Sequence, residues 1–275
     1  MNIFDLNGAK YFCTSFSPSH PNQSLKAHNR ALRSCTAREG STEFDKIRTH
    51  LLRDVERSLF LAASQYIRSF DLMLASSASW TYVTLYYGSF YAAQALLGMF
   101  GGWIDSPYML IHVTNPAPGN QELRVQRDPQ YIPASHKGFW MEFYDAFNTL
   151  QIHINPQLRF AVQPISGQDS WLIDHRNDFN YDTYMALHLG DQFDRSFSES
   201  GFPSCLPGEM NTQFLVTKAL TTLAFSFARA FNLSTGALDM IGSTAVARRS
   251  KIRNMVLGAR RPQLSSKINP AIVLA

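Results

Sequence analysis

WTYVTLYYGSFYAAQALLGMF runs from Trp80 to Phe100 without a charged residue. Its apolar side chains occur on almost every side of a 3.6-residue helix. Such a helix is buried over most of its surface, in a protein core or in a membrane. The core reading wins. Spanning a bilayer takes roughly 18 or more uncharged apolar residues in a row. The run from Trp80 to Ile104 is interrupted by Gly88, Gln94 and the Gly101-Gly102 pair. Gly88, Ser89, Ala92 and Ala93 are small enough to let a neighbouring helix come close. The paired glycines are a natural helix stop.

Upstream, STEFD opens another helix. Thr42 is the expected cap, and Asp45 three residues later suits the positive end of the helix dipole. Ile47, Leu51, Val55, Leu59, Ala62, Tyr66 and Phe70 then recur at spacings of three and four. That predicts one apolar stripe on a helix of about 30 residues. Two long antiparallel helices, joined at ASSAS, are therefore the expected frame. Residues 1–42 are rich in Ser, Pro, Asn and His and read as an N-terminal arm, with a short strand at KYFCTSF. Downstream, YMLIHVTN and ELRVQRD flank the turn signal PAPGN and read as strands. GFWMEFYDAFNTL has helical spacing, with Phe139, Phe143 and Phe147 four apart. PQLRFAVQPISGQ reads as loop or a short extended piece. Further helices are expected at about 170–190, at Met210–Phe231 and, in a basic C-terminal segment, at Thr235–Leu257.

The chain has 275 residues, enough to bury a sizeable core. Twenty Phe and eleven Tyr predict thick aromatic packing between helices. Seven of the 25 basic residues, and none of the 21 acidic ones, fall between Ala245 and Ala275, so the basic end is set against a slightly acidic body. Such a tail suits nucleic acid, an anionic membrane or an acidic partner, or is simply a solvated terminus. Arg248, Arg249, Lys251 and Arg253 form its densest cluster and are the expected nucleic-acid contacts, although no aromatics interleave to stack bases. Cys13, Cys35 and Cys205 have no C-x-x-C spacing, which favours a reducing cytoplasm over a disulfide or zinc scaffold. MNIFDLNGAKYFC lacks a basic start followed by a long apolar core, so no secretory signal and no membrane partner are expected. No phosphate-loop, dinucleotide or G-x-S-x-G motif is present, and no cofactor is expected. His112, His136 and His153 lack metal-ligand spacing, so no metal is expected and these histidines read as structural.

The chemistry concentrates in WLIDHRNDFNYDTYMALHL, Trp171 to Leu189. On a helix, Asn177, Tyr181, Tyr184 and His188 follow at four, three and four, forming a polar-aromatic stripe. Arg176, Asn180 and Tyr184 form a second stripe beside it. Leu172, Phe179 and Ala186 face the other way, toward a core. The polar face is not the Lys/Glu mixture of ordinary wet surface. Its amides, phenols and guanidinium suit hydrogen bonding in a cleft. The alternative is a surface pair, Arg176 and Asn177, tied to Asp174 or Asp178.

This segment resembles the signature of HEPN domains (higher eukaryotes and prokaryotes nucleotide-binding), in which an Arg and a following polar residue precede a His by four to six residues on a late helix. YYGSFYAAQALL resembles the same superfamily's second long helix. The likeness covers roughly residues 44–100 and 170–232. It implies a mostly α fold, a HEPN-like helical bundle at 43–234 with a small β-containing insertion at about 103–168. A basic helix and tail at 235–275 would follow. It also implies a homodimer in which the motifs of two protomers meet, and RNA or a nucleotide as ligand. Many members are metal-independent endoribonucleases of toxin–antitoxin or antiviral defence systems, with a protein partner from that system. Others are non-catalytic assembly or sensing subunits. Carried over by position, Arg176 matches the motif Arg, Asn177 the polar residue, and Tyr181 stands where the His is expected. These three would be the catalytic set, with Asn180, Tyr184 and His188 lining the substrate. The departure at Tyr181 matters. A phenol with a pKa near 10 is a poor base at neutral pH, whereas an imidazole near 6.5 is a good one.

Overall fold

A computed structural model describes residues 1–14, 25, 33–74, 77–105, 109–127, 136–150, 154, 156–163, 171–181 and 208–233. Among them are seven helices and four strands. The helices are α1 (Leu6–Thr14), α2 (Thr42–Leu74), α3 (Ala78–Met99), α4 (His136–Leu150), α5 (Pro156–Val162), α6 (Trp171–Tyr181) and α7 (Gly208–Ala230). The strands are β1 (Cys35–Arg38), β2 (Trp103–Asp105), β3 (Met109–Asn115) and β4 (Glu122–Arg127). The protein is mostly helical with one small antiparallel sheet.

α2 starts one residue earlier than the sequence suggested. Gly40, at φ +82°, turns the chain out of β1. Ser41 then caps: its Oγ accepts the Phe44 N–H at 3.2 Å and its carbonyl accepts the Asp45 N–H at 3.1 Å. Thr42 is already helical, so its hydroxyl is past the position where a cap works. The whole predicted stripe from Ile47 to Phe70 is buried. Most of α3 is buried too, as its all-round apolarity requires.

The partners of α3 come close where its side chains are small. Val55 of α2 faces Gly98, Ser58 Oγ donates to Gln94 Oε1 at 3.3 Å, and Ala62 and Tyr66 face Gly88. Residue numbers rise along one helix as they fall along the other, so α2 and α3 are antiparallel. α7 approaches α3 from another side. A Cβ on Gly88 would lie 2.8 Å from the Thr217 methyl. Ser89 Oγ and Thr217 Oγ1 are 2.8 Å apart, and Gln213 Nε2 donates to Ser89 Oγ at 3.1 Å. This buried polar contact fixes the register of α7, which then places Phe214 against Tyr66 and Phe70, and Phe227 and Phe231 against Phe100.

α3 ends in a Schellman motif. Gly101 N–H bonds to Gly98 O at 3.1 Å and Gly102 N–H to Leu97 O at 2.9 Å, with Gly101 at φ +79°. The chain turns directly into β2. β2, β3 and β4 form a meander, and β1 adds to the far side of β4, giving the order β1-β4-β3-β2. Alternation puts Ala37, Met109, Ile111, Val113, Leu123 and Val125 on the buried face.

Two readings need correction. KYFCTSF is not a strand: Lys10–Thr14 belong to α1, and the strand of this region is Cys35–Arg38. Strand alternation would pair Tyr11 with Cys13. Instead Phe12 and Cys13 are both buried with Ala9, on one helical side, while Tyr11 is exposed. Residues 1–14 are thereby part of the core, with Phe4 stacked near Phe12 at 5.1 Å between centroids. PQLRFAV is also helical (α5). Pro156 at its first position has its fixed φ and missing N–H where a helix tolerates both. The predicted basic helix at Thr235–Leu257 lies outside the described residues.

Gly101 is required both by its backbone and by its neighbours: a Cβ there would lie 2.5 Å from the Phe4 ring and 2.9 Å from Val113. Gly119 has the same left-handed backbone, φ +84°, with open space around it. Gly119→Ala should cost roughly 1–2 kcal/mol from backbone strain alone, and Gly101→Ala distinctly more. Urea denaturation of the two variants measures the difference. Equal losses would mean that Phe4 does not press on the end of α3.

Candidate functional site

Successive residues of α3, Tyr86 and Tyr87, point about 100° apart and so reach two different neighbours. Tyr86 is fully buried. Its Oη accepts the Trp140 Nε1–H at 3.3 Å and lies 2.7 Å from Nδ1 of His136. Both partners belong to α4, which Phe139, Trp140, Phe143 and Phe147 pin into the core. His136 heads that stripe as the first residue of the helix. Its ring stacks on Phe90 at 4.5 Å between centroids, and the centroid of Tyr87 is 6.1 Å away.

Tyr87 is half-buried and turns toward α6. Arg176 Nη2 donates to Tyr87 Oη at 3.0 Å, and Nη1 donates to Asn177 Oδ1 at 2.8 Å. The guanidinium carbon is 5.7 Å from the Tyr87 ring centroid and 5.8 Å from that of Tyr86. Both lie within cation–π range. α6 is held in place by Trp171, Leu172 and Ile173, all buried, so Arg176 arrives on α3 from a fixed base. The core side predicted for Leu172 is therefore correct.

The electrostatics follow from this packing. Burial pushes the Tyr86 phenol well above its ordinary range. Burial, and secondly the positive charge of Arg176, push the His136 imidazole below its usual value. At neutral pH His136 is uncharged, Tyr86 is protonated and Arg176 supplies the positive charge. An acid–base group and a cation thus share one aromatic platform.

Of the residues singled out in the sequence, Arg176 and Asn177 are joined by a hydrogen bond between their own side chains, and Arg176 reaches Tyr87. Asn180 and Tyr181 belong to the last turn of α6, and their side chains lie outside the described residues. Tyr184, His188, Arg248, Arg249, Lys251 and Arg253 also lie outside them. His136, read from the sequence as structural for want of a metal-ligand pattern, is the further polar residue that the packing brings to this aromatic cluster. Its one signal was its place three and four residues before Phe139 and Trp140, at the polar end of an apolar stripe. Tyr86 was visible only as part of an aromatic run, whereas Tyr87, with Asp71, was a candidate to face a cleft between the first two long helices. Among the described residues no three His, Cys, Asp or Glu side chains converge as a metal site, and no helix is long and apolar enough to cross a membrane.

Comparison with protein-family models, characterised proteins and solved structures gives no significant match.

The depressed imidazole makes a pH prediction. Above its ordinary pKa of 6.5 His136 is neutral in both folded and unfolded chains. As pH falls through 6.5 the unfolded chain takes up a proton that the folded one resists, so stability is lost on the acid side. His112 carries the same sign. His136→Gln should therefore lose less stability than wild type between neutral pH and pH 5, read as urea midpoints; identical losses would remove His136 as a contributor. Separately, Tyr86→Phe takes a partner from both His136 and Trp140 and should cost about 1–3 kcal/mol, measured in the same way.

Proposed function

We propose that the chain binds RNA through its phosphates at Arg176 and cleaves it without a metal, as a HEPN-like endoribonuclease. The observation that carries this is the Arg176 guanidinium, seated on Tyr86 and Tyr87 and oriented by Tyr87 Oη and Asn177 Oδ1. A planar guanidinium is the side chain best matched to a phosphodiester. Pre-orientation of the guanidinium by Tyr87 and Asn177 reduces the entropy lost on binding. Two further features support the HEPN-like arrangement. α2 and α3 form a long antiparallel pair, and the Arg-bearing helix lies late in the chain against the second of them. The reading carries with it a homodimer with two facing Arg176 clefts and a role in a toxin–antitoxin or antiviral defence system.

A binding-only version of the same site is favoured by one observation, the Tyr at position 181 where the motif His is expected. The two versions separate in a single assay. Purified protein is incubated with single-stranded RNA in chelator, wild type beside Arg176→Ala. The variant should bind about 10- to 100-fold more weakly, the worth of one or two charge-assisted hydrogen bonds, and cleavage should fall with it. RNA retained by wild type but never shortened would select the sensing or assembly reading. RNA neither retained nor cut would exclude both.

A further inference from the structure

We propose that His136 is the proton carrier of the Arg176 site, filling from α4 the role that a motif histidine would fill on α6. The inference rests on the phosphate reading of Arg176. Its basis is a juxtaposition that neither stripe of α6 contains. The centroid of the Tyr86 ring lies 5.8 Å from the guanidinium carbon of Arg176 and 5.8 Å from the His136 ring centroid. Both groups lie against one buried tyrosine, and both also lie near the Tyr87 ring, at 5.7 and 6.1 Å from its centroid. In the proposed complex, a phosphate at the guanidinium brings its ribose to the imidazole.

The orientation of the imidazole is also suitable. Nδ1 is engaged with Tyr86 Oη at 2.7 Å, and the ring is clamped by its 4.5 Å stack on Phe90. Nε2 has no protein partner among the described residues, and His136 is only half-buried, so this nitrogen is the one a substrate meets. A phenol hydroxyl can donate to Nδ1 or accept from it. Tyr86 therefore supports both neutral tautomers, one offering a lone pair at Nε2 and the other an N–H. Among the described residues, the groups facing the imidazole are Tyr86, Tyr87 and Phe90 from α3, Trp140 from its own helix at Tyr86 Oη, and Arg176 from α6. Only Arg176 among these is charged at neutral pH; burial first, and this charge second, keep the imidazole in the neutral, base-competent form.

The step balances without a cofactor. The ribose 2′-oxygen attacks phosphorus, and its proton passes to His136 Nε2. The bond from phosphorus to the 5′-oxygen breaks, and water protonates the departing oxygen. The imidazolium returns its proton to the hydroxide so formed. The products are a 2′,3′-cyclic phosphate and a free 5′-hydroxyl, and Arg176 offsets the charge that builds on the phosphoryl oxygens.

The experiment separates clamp from carrier. Wild type, Arg176→Ala and His136→Ala are tested for binding to a 2′-O-methyl RNA oligonucleotide, which cannot be cut, and for cleavage of the matching ribose oligonucleotide across pH 5–8. His136→Ala is expected to hold the uncuttable oligonucleotide as wild type does, which also shows that it is folded. It is expected to cleave about 100-fold or more slowly. Its residual rate should not follow the imidazole titration seen in wild type, and added imidazole should restore part of the activity. Arg176→Ala should lose binding. Cleavage by His136→Ala at the wild-type rate would overturn the carrier and leave the clamp standing. So would binding without any cleavage by wild type. Absence of binding by wild type would overturn the phosphate reading and the carrier with it.

Discussion

The described part of this protein is arranged around one helix, α3, that has little free surface. α3 must be covered on nearly all sides, and it can be covered only because its small residues let other helices approach its backbone. Gly98 admits Val55 and Gly88 admits Thr217, and α2 and α7 settle into those notches. Helix packing usually interdigitates ridges and grooves at 8–10 Å. Here the missing side chains of two glycines deepen the groove. The hydroxyl pair Ser89–Thr217 sets how far along α3 the third helix sits. A wrong register would leave those polar atoms buried without each other, which costs more than an apolar mismatch.

The same crowding explains why the candidate site lies where it does. α3 reaches open space along one narrow side, marked by the half-buried Tyr87, Phe90 and Tyr91. Tyr87 and Tyr91 lie roughly parallel there, with centroids 6.2 Å apart. α4 and α6 come to this side from different parts of the chain and deliver one polar group each at its border. Tyr86 links the border to the interior, since its ring is core and its hydroxyl serves His136. The site is thus held by side chains that also hold the fold, and its geometry inherits the rigidity of the bundle.

Much of the frame was legible in the sequence because it obeys simple periods. The α2 stripe, the all-round apolarity of α3, the glycine stop, the β3–β4 hairpin and the Phe spacing of α4 each report a single local rule. What stayed hidden depended on partners far away in the chain. β1 and α1 were misjudged because a short amphipathic piece reads equally well at either period until its neighbours are known. Arg176 and Asn177 stood out because their residue types are wrong for ordinary helix surface. His136 did not, because its meaning comes from Tyr86, fifty residues earlier, and no spacing rule joins them.

The sheet imposes an order of events on folding. Cys35 pairs with Val125 and Arg38 with Glu122, whereas β2 and β3 each pair with the next strand in the chain. The α2–α3 hairpin and the meander close through local loops, whose entropic cost is small. β1 emerges early during synthesis and waits while both long helices and the meander are made. At roughly 5–20 residues per second that interval lasts several seconds. Throughout it, β1 stays unpaired and open to any other extended chain, a period of vulnerability to mispairing. It ends only when the amino-terminal strand returns to seal the sheet.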